Sequence, residues 1–308
     1  MAPRHHVTAA PLVTRGTTTI ATDGTLDASS ARPYAVLFYV VGAYAWTWSF
    51  NLVKILRQRE IVSVPMPLIA LDIAAGLGPL VASLAVSSYE AGTAGRRALL
   101  TQLLRWRLPG RWYARAVLGP VLLAATAFGM WVGTGGSAPP TEALAQWTLL
   151  PVFFLYILLV GGGVGEELGW RGYALPRLQH RYGALIASLI LGLIWAGWHI
   201  PAWFTHGSGQ DAISFPVFVV SATAAAIILT WLYNSTGGSL PLVILAHTVF
   251  NLCSTGPWFR ALFTLPPDQR GLDPFDLLTI VVVVTALGVV VLTEPRTLTV
   301  KQRGTGTT

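Results

Sequence analysis

Charged residues are scarce in this chain: Asp, Glu, Lys and Arg make up 11% of its 308 residues, whereas soluble globular domains carry about 25%. So few charges cannot cover the surface of a water-soluble fold of this length. Intrinsic disorder is excluded as well, because 53% of the residues are hydrophobic and they run in long blocks. The sequence therefore predicts an all-α, polytopic membrane protein, a bundle of about eight transmembrane helices.

Cysteine is nearly absent too, since Cys253 is the one cysteine of the chain. It cannot form an internal disulfide, and its apolar surroundings favour a buried, inert thiol. No stretch of interleaved basic and aromatic residues outside the membrane suggests a DNA or RNA site. The net charge of +7 is therefore assigned to cytoplasmic loops, and no nucleic-acid partner is expected. The sequence shows no internal repeat, which gives little support to a transporter built from inverted halves.

Eight apolar runs define the candidate spans. They are Tyr34–Val53, Leu68–Ser88, Trp112–Val132, Trp147–Gly165, Tyr182–Ile200, Ile213–Tyr233, Leu240–Ser254 and Phe275–Leu292. We interpret residues 34–293 as a single transmembrane helical domain. A mobile polar tail, residues 1–33, precedes it, and a C-terminal tail, residues 294–308, follows it.

The distribution of Lys and Arg predicts the orientation, because cytoplasmic loops carry an excess of both. With both termini in the cytoplasm, fifteen of these residues lie on the cytoplasmic side and five on the other. We therefore expect an integral, multi-pass protein of a bacterial plasma membrane, with both termini cytoplasmic and the lipid bilayer as its main surroundings.

Three polar clusters interrupt the apolar runs, and ionisable groups inside a bilayer indicate a functional site. They are the segments 165–171 (GEELGWR), 195–201 (WAGWHIP) and 247–251 (HTVFN). Each cluster taken alone could be structural, as a hydrogen bond between helices or as an ion pair that holds the bundle. A reactive site is nevertheless favoured, because the clusters together place several reactive groups at compatible depths: two carboxyls, one guanidinium, two imidazoles and one amide.

The first cluster combines a pair of charges with an unpaired carboxyl. Glu167 and Arg171 are four residues apart, so they share a helical face and can form an ion pair. Glu166 has no such partner in its own segment, which makes it a candidate general base. Small residues at every fourth position let a neighbouring helix approach closely. Here they are Gly161, Gly165 and Gly169.

The three clusters can lie at one depth. If the fourth and fifth spans form a hairpin that turns near Tyr182 and Gly183, Glu166 and His199 each lie roughly 25 Å from the turn. His247 and Asn251 share a face of the seventh span, and His247 lies roughly 12 Å into the membrane. We therefore expect all three clusters to face one intramembrane cavity.

These clusters resemble the motifs of the CPBP family, the CAAX protease and bacteriocin-processing intramembrane endopeptidases, also called the Abi family. The family motif EExxxR matches Glu166, Glu167 and Arg171. The motif FxxxH matches Trp195 and His199, with Trp in place of Phe, and HxxxN matches His247 and Asn251. The resemblance covers residues 145–255.

The resemblance implies hydrolysis of a peptide bond within the membrane. Glu166, assisted by His199, would activate water, while His247 and Asn251 would stabilise the tetrahedral oxyanion. Carboxyl and imidazole groups suit proton abstraction, and N–H groups suit an oxyanion hole.

The remaining motif residues would have supporting roles. By the same resemblance, Glu167 and Arg171 would hold the first motif in position. Trp195 lies one turn before His199 and could limit the rotation of its imidazole.

Two questions stay open at this stage. No cofactor is expected, but Glu166, His199 and His247 could bind zinc with an open fourth position, although the HExxH motif is absent. The implied substrate is a membrane-associated or lipidated peptide or protein. A non-catalytic membrane protein for partner binding or bacteriocin self-immunity is the alternative function, and a proton-coupled transporter is a third.

Overall fold

Each of the eight predicted apolar runs contains a helix in the computed structural model, which describes residues 34–136, 148–254 and 274–300. The helices are α1 Ala35–Gln58, α2 Leu68–Gly76, α3 Gly78–Thr101, α4 Gly110–Gly133, α5 Leu150–Leu159, α6 Val164–Gly169, α7 Leu175–Tyr182, α8 Ala184–Trp198, α9 Phe215–Ser235, α10 Leu240–Ser254 and α11 Pro274–Leu292. No β-strand occurs in these three ranges, in which a single bridge joins Thr293 and Val300. The all-α class is confirmed. The predicted N-terminal tail and residues 301–308 of the predicted C-terminal tail lie outside the described residues.

Six helical stretches of the described ranges are long and apolar enough to cross a membrane. A seventh crossing results if α2 and α3, which meet at a bend of 41°, form one span. Helix α10 is apolar but has only 15 residues, which is about 22 Å of helix against about 30 Å of hydrocarbon. The predicted number of about eight spans is thus an approximation, because the seventh predicted span is too short to cross unaided.

The fourth predicted span ends in a different place from the one expected. Helix α5 stops at Leu159 and α6 begins at Val164. The helix then continues through a π-helical turn, Trp170–Ala174, to the end of α7. The predicted end at Gly165 is therefore wrong. Two arginines that indicated a cytoplasmic loop, Arg171 and Arg177, are instead buried in ion pairs with Glu167 and Glu90.

The two ends of the bundle can be told apart by their contacts. At one end, the Gly183 turn joins α7 to α8, and the amide of Ala184 donates to the carbonyl of Arg296. At the opposite end, Gln58 of α1 exchanges hydrogen bonds with the backbone of His206. The predicted hairpin about Gly183 is present, and α7 packs along α8. This hairpin returns the second motif to the neighbourhood of the first.

Glycines allow the close packing that places the first motif beside α2 and α3. A Cβ on Gly165 would lie 2.9 Å from the carbonyl oxygen of Gly76, and a Cβ on Gly169 would lie 2.6 Å from that of Pro79. The third glycine of the predicted stripe, Gly161, lies in the break and approaches its own turn at Ile157. Two members of the stripe therefore make the expected close contacts between helices.

Candidate active site

The break between α5 and α6 presents the two glutamates of the first motif to the interior. Gly162 has φ +122°, a backbone conformation that side chains with a Cβ rarely adopt. The chain turns there, and Glu166 and Glu167 fall in the first turn of α6. Carboxylates at a helix N-terminus are stabilised by the unpaired N–H groups and the helix dipole. Both glutamates are buried, with 5% and 0% of their surface exposed.

Glu166 is held by the second motif. The indole N–H of Trp195 donates to Glu166 Oε2 at 2.6 Å. The unpaired carboxyl expected from the sequence therefore has a partner from α8, because the hairpin brings that helix alongside. A charge-assisted bond of this kind orients the carboxylate as well as stabilising it.

Glu167 joins the first motif to the third. Arg171 Nη1 donates to Glu167 Oε1 at 2.7 Å, as the i,i+4 spacing predicts. His247 Nδ1 lies 2.6 Å from the same oxygen, so this carboxylate connects α6 to α10. The Arg171 guanidinium also lies 5.1 Å from the centre of the Trp195 ring, a cation–π distance. The supporting pair thus contacts both of the other motifs.

The imidazole of His199 has a defined tautomer. Its Nδ1 lies 2.9 Å from the carbonyl oxygen of Trp195, and a carbonyl only accepts, so Nδ1 carries a proton. In the neutral ring Nε2 is then an acceptor. Three aromatic rings, those of Trp195, Trp198 and Phe218, meet the imidazole edge to face at centroid distances of 5.8, 4.6 and 5.1 Å. Trp195 therefore limits the rotation of His199 together with two other rings.

The third motif surrounds Gly162. A Cβ placed on Gly162 would collide with Asn251 Nδ2 and would lie 2.9 Å from His247 Nε2. The two nitrogens thus flank one point beside the break. Asn251 Nδ2 also donates to the carbonyl of Gly161 at 3.0 Å. His247 Nε2 is buried and has no hydrogen-bond partner among the described residues.

A polar cavity of about 350 Å³ joins these groups. Glu166, His199 and Asn251 all line it, whereas His247 is not among the lining residues. The cavity extends towards the end of the bundle marked by Gln58 and His206, where Lys54 and Asp72 line it. A carboxylate, an imidazole and an amide, one from each motif, therefore face the same small volume, while the second imidazole of the predicted site does not line it.

A metal site needs several ligand side chains placed around one point. In residues 34–136, 148–254 and 274–300, no group of three or more His, Cys, Asp or Glu side chains is placed to hold one ion. Glu166, His199 and His247, the predicted zinc ligands, do not form such a group. One oxygen of Glu166 and Nδ1 of each histidine have protein partners, so that any metal ion would be bound by the other oxygen and by Nε2 of each ring.

Sequence reasoning missed three features of the site. The indole donor to Glu166 was missed because Trp195 was interpreted only as packing. The positive φ of Gly162 was missed because GGG at 161–163 was interpreted as part of a span. The ion pair between Lys54 and Asp72, 2.5 Å apart, was missed because the two residues are on different predicted spans; the signal was that Asp72 is the one acidic residue of the second predicted span.

The fold and the site define a class: a polytopic all-α membrane protein with a buried cluster of acid, base and amide groups around a polar cavity. Comparison with known proteins then shows which family the motif segment resembles. Residues 146–253 match the family model described as type II CAAX prenyl endopeptidase Rce1-like, a segment that contains all three motifs. CAAX prenyl protease 2 of Methanococcus maripaludis is 38% identical over 109 residues, which are 33% of this chain and 39% of that protein.

The chain thus matches about two fifths of the length of this curated relative. These findings support the CPBP family, which includes the CAAX proteases, for the part of the chain that carries the motifs. The resemblance inferred from the sequence is confirmed.

Proposed function

We propose that this protein is an intramembrane endopeptidase that hydrolyses a peptide bond with a water molecule activated by Glu166 and His199. The observation that carries the proposal is the shared cavity: the Glu166 carboxylate and the His199 ring line the same 350 Å³ as Asn251. General acid–base catalysis needs such groups within reach of one water molecule.

The first step is attack by water. Glu166 takes one proton from a water molecule that also donates to His199 Nε2, and the water oxygen forms a bond to the carbonyl carbon of the peptide. The π electrons of that carbonyl move to its oxygen, which becomes the oxyanion of a tetrahedral intermediate. In the second step the oxyanion re-forms the carbonyl, the C–N bond breaks, and the proton on Glu166 passes to the departing nitrogen.

The oxyanion would lie between Asn251 and His247. Asn251 Nδ2 is a donor, and His247 Nε2 is a donor whenever it carries a proton. Because Glu167 Oε1 accepts from Nδ1, Nε2 can donate only when both ring nitrogens carry a proton. Donors fixed in a buried site stabilise a developing oxyanion by about 3–4 kcal/mol each.

We further propose that the reaction needs no metal ion. The support is geometric, since the three candidate ligands do not converge as a metal-binding group among the described residues. Metal analysis of purified active protein tests this. One tightly bound zinc per chain, with activity lost on chelation and restored by zinc, would contradict it.

The proposed substrate class is a membrane-associated or lipidated peptide. The relative from Methanococcus maripaludis is named a CAAX prenyl protease, and C-a-a-X is a C-terminal sequence whose cysteine is prenylated. The membrane surroundings of the cavity suit such a ligand, because a lipid chain keeps the peptide at the bilayer.

The test is cleavage of a farnesylated C-a-a-X peptide by the full-length chain in proteoliposomes. We expect Glu166→Gln and His199→Ala each to lower kcat by about 100-fold or more, as removal of a general base does. Glu294→Gln is the matched control, because this exposed glutamate lies beyond α11, away from the cavity, and it should leave kcat unchanged.

Full activity in either cavity variant would contradict the mechanism. A second outcome concerns the alternative function. If the wild-type protein protects a cell against a bacteriocin and Glu166→Gln protects it equally well, the binding or self-immunity function is favoured instead.

A further inference from the structure

Helix α1 holds the end of α8, next to His199. The indole N–H of Trp48 donates to the carbonyl of Trp198 at 3.0 Å. One turn earlier on α1, the hydroxyl of Tyr44 donates to the carbonyl of Ile194 at 2.5 Å. The two donors are four residues apart, so they share a face of α1, and their ring centres lie 5.2 Å from each other. The proposed reaction uses neither of these side chains.

The carbonyl of Trp198 needs a side-chain donor because α8 ends at this residue. In a continuing helix the carbonyl would accept from an amide three or four residues later. Three residues later stands Pro201, which has no N–H group. The next amide, that of Ala202, donates to the carbonyl of His199. Trp48 therefore caps the C-terminal end of α8.

Gly197 allows α1 to come this close to α8. A Cβ on Gly197 would lie 2.7 Å from the hydroxyl oxygen of Tyr44, a distance that Cβ atoms essentially never show. This glycine lies within the second motif, two residues before His199. Tyr44 and Trp48 lie outside the segment that matches the family model, residues 146–253. The contact thus joins a helix outside the matched segment to the second motif.

The bond from Trp48 acts on the peptide group that joins Trp198 to His199. This group is planar, so fixing its carbonyl also fixes the amide of His199. The imidazole is turned back along α8, with Nδ1 2.9 Å from the carbonyl oxygen of Trp195, and His199 lines the polar cavity. A rotation of the peptide group would move Nε2 relative to the carboxylate of Glu166.

We propose that Trp48 is a positioning residue of the peptidase: its indole N–H fixes the peptide group before His199 and so holds the imidazole where it can share a water molecule with Glu166. Tyr44 supports the same helix end from one turn earlier. Neither side chain is among those that line the polar cavity, so both act through α8. The inference rests on the proposed peptidase function and adds a residue of α1 to it.

The experiment removes the donor and keeps an aromatic ring. With the farnesylated C-a-a-X peptide in proteoliposomes, we expect Trp48→Phe to lower kcat about 10-fold, the effect of one lost hydrogen bond, and to leave KM unchanged. In a His199→Ala background the same substitution should change kcat by less than about twofold, because no imidazole remains to be positioned. Single-turnover measurements with excess enzyme give the rates of the slow variants.

Two further variants complete the test. Trp46 is the matched control, since it lies on the same helix and is 38% exposed against 36% for Trp48. Its indole donates to the carbonyl of Ala74 in α2, so Trp46→Phe should keep kcat near the wild-type value. Tyr44→Phe removes the second bond to α8 and should lower kcat about 3-fold, again only when His199 is present. This variant tests the proposal if Trp48→Phe does not fold.

The outcomes separate the inference from the proposed function. Wild-type kcat in Trp48→Phe overturns the positioning role and leaves the peptidase in place. An equal loss of kcat in Trp46→Phe, or the same loss from Trp48→Phe with and without His199, does so too, because the effect would then be a general one on the bundle. Full activity in His199→Ala overturns the mechanism on which the inference rests. No cleavage by the wild type overturns both proposals.

Discussion

Trp195 occupies the position of the phenylalanine in the family motif FxxxH and makes a contact that phenylalanine cannot make. The family pattern has Phe at this position, and a phenyl ring has no hydrogen to donate. The indole here packs edge to face on His247, with ring centres 5.1 Å apart, and its N–H holds Glu166. One side chain therefore performs the packing that the pattern implies and adds a bond to the proposed base.

Replacing this indole by phenyl should separate its two contributions. We expect Trp195→Phe to lower kcat about 10-fold, because one charge-assisted hydrogen bond that orients Glu166 is lost, while KM changes little. Peptide cleavage in proteoliposomes measures both constants. Trp106→Phe, at a 54% exposed tryptophan, is the control. An unchanged kcat for Trp195→Phe would mean that the indole N–H does not orient the base.

Gly162 is the second residue on which the arrangement depends. Its φ of +122° is strained for any residue with a Cβ, at a cost of about 1–3 kcal/mol. The added methyl group would also enter the space between Asn251 and His247. We expect Gly162→Ala to lower kcat by about 100-fold, the effect of losing an oxyanion donor.

Gly129→Ala is the matched control for that experiment. A Cβ at Gly129, inside α4, meets no atom within 4 Å, and alanine favours a helix over glycine by about 1 kcal/mol. This variant should keep full activity. Wild-type kcat in Gly162→Ala would show that the nitrogens of the third motif do not act at this point.

The helix that carries the first motif is anchored by a second buried ion pair. Glu90 on α3 accepts from Arg177 Nη2 at 2.7 Å and from the hydroxyl of Tyr173 at 2.8 Å. The side chain of Arg177 also lies over the Tyr173 ring. This network joins α3 to the π-helical turn and α7, and it lies outside the residues that line the polar cavity.

Removing the carboxylate of this pair tests the anchoring. We expect Glu90→Gln to destabilise the protein by about 3–5 kcal/mol, since it leaves the buried Arg177 charge unbalanced. A lower Tm in detergent, compared with Glu294→Gln, measures the effect. Any remaining folded protein should have a near-normal KM, because Glu90 does not line the cavity. An unchanged Tm would mean that the pair contributes nothing to the bundle.

The whole bundle has two ends, and the cavity extends towards only one of them. Lys54, Asp72, Gly207 and Ser208 line the cavity near the Gln58–His206 contact. Arg296 and Gly183 mark the other end. Exposed arginines such as Arg96, Arg97 and Arg181 lie on the helices and loops of this second end. The excess of positive charge therefore predicts that the second end is cytoplasmic and that the cavity opens on the other side.

Cysteine labelling decides the side from which a peptide enters. In a Cys253→Ser background, an impermeant maleimide should label His206→Cys in intact cells and Thr297→Cys only after lysis. Both positions are exposed in the structure. Labelling of Thr297→Cys alone in intact cells would reverse the orientation and place the cavity mouth in the cytoplasm.

Much of this architecture is determined by composition and local spacing. Long apolar runs with few charges leave only a helical bundle in a membrane, because every backbone N–H and C=O group must be paired within the bilayer. The i,i+4 spacing likewise predicted the pair between Glu167 and Arg171, and the equal distances from Gly183 predicted that Glu166 and His199 would meet. These features depend on periodicity, which the sequence carries directly.

Only the tertiary structure decided which groups from distant helices touch. Arg171 and Arg177 are buried because the helix continues past the predicted end at Gly165. The indole bond to Glu166 and the ion pair between Lys54 and Asp72 each join residues on different helices. The π-helical turn and the break at Gly162 also shift the register in a way that apolar runs do not reveal. A charged side chain interrupts an apolar run in the same way whether it faces water or a buried partner. Its partner is therefore specified by packing and not by its position in the chain.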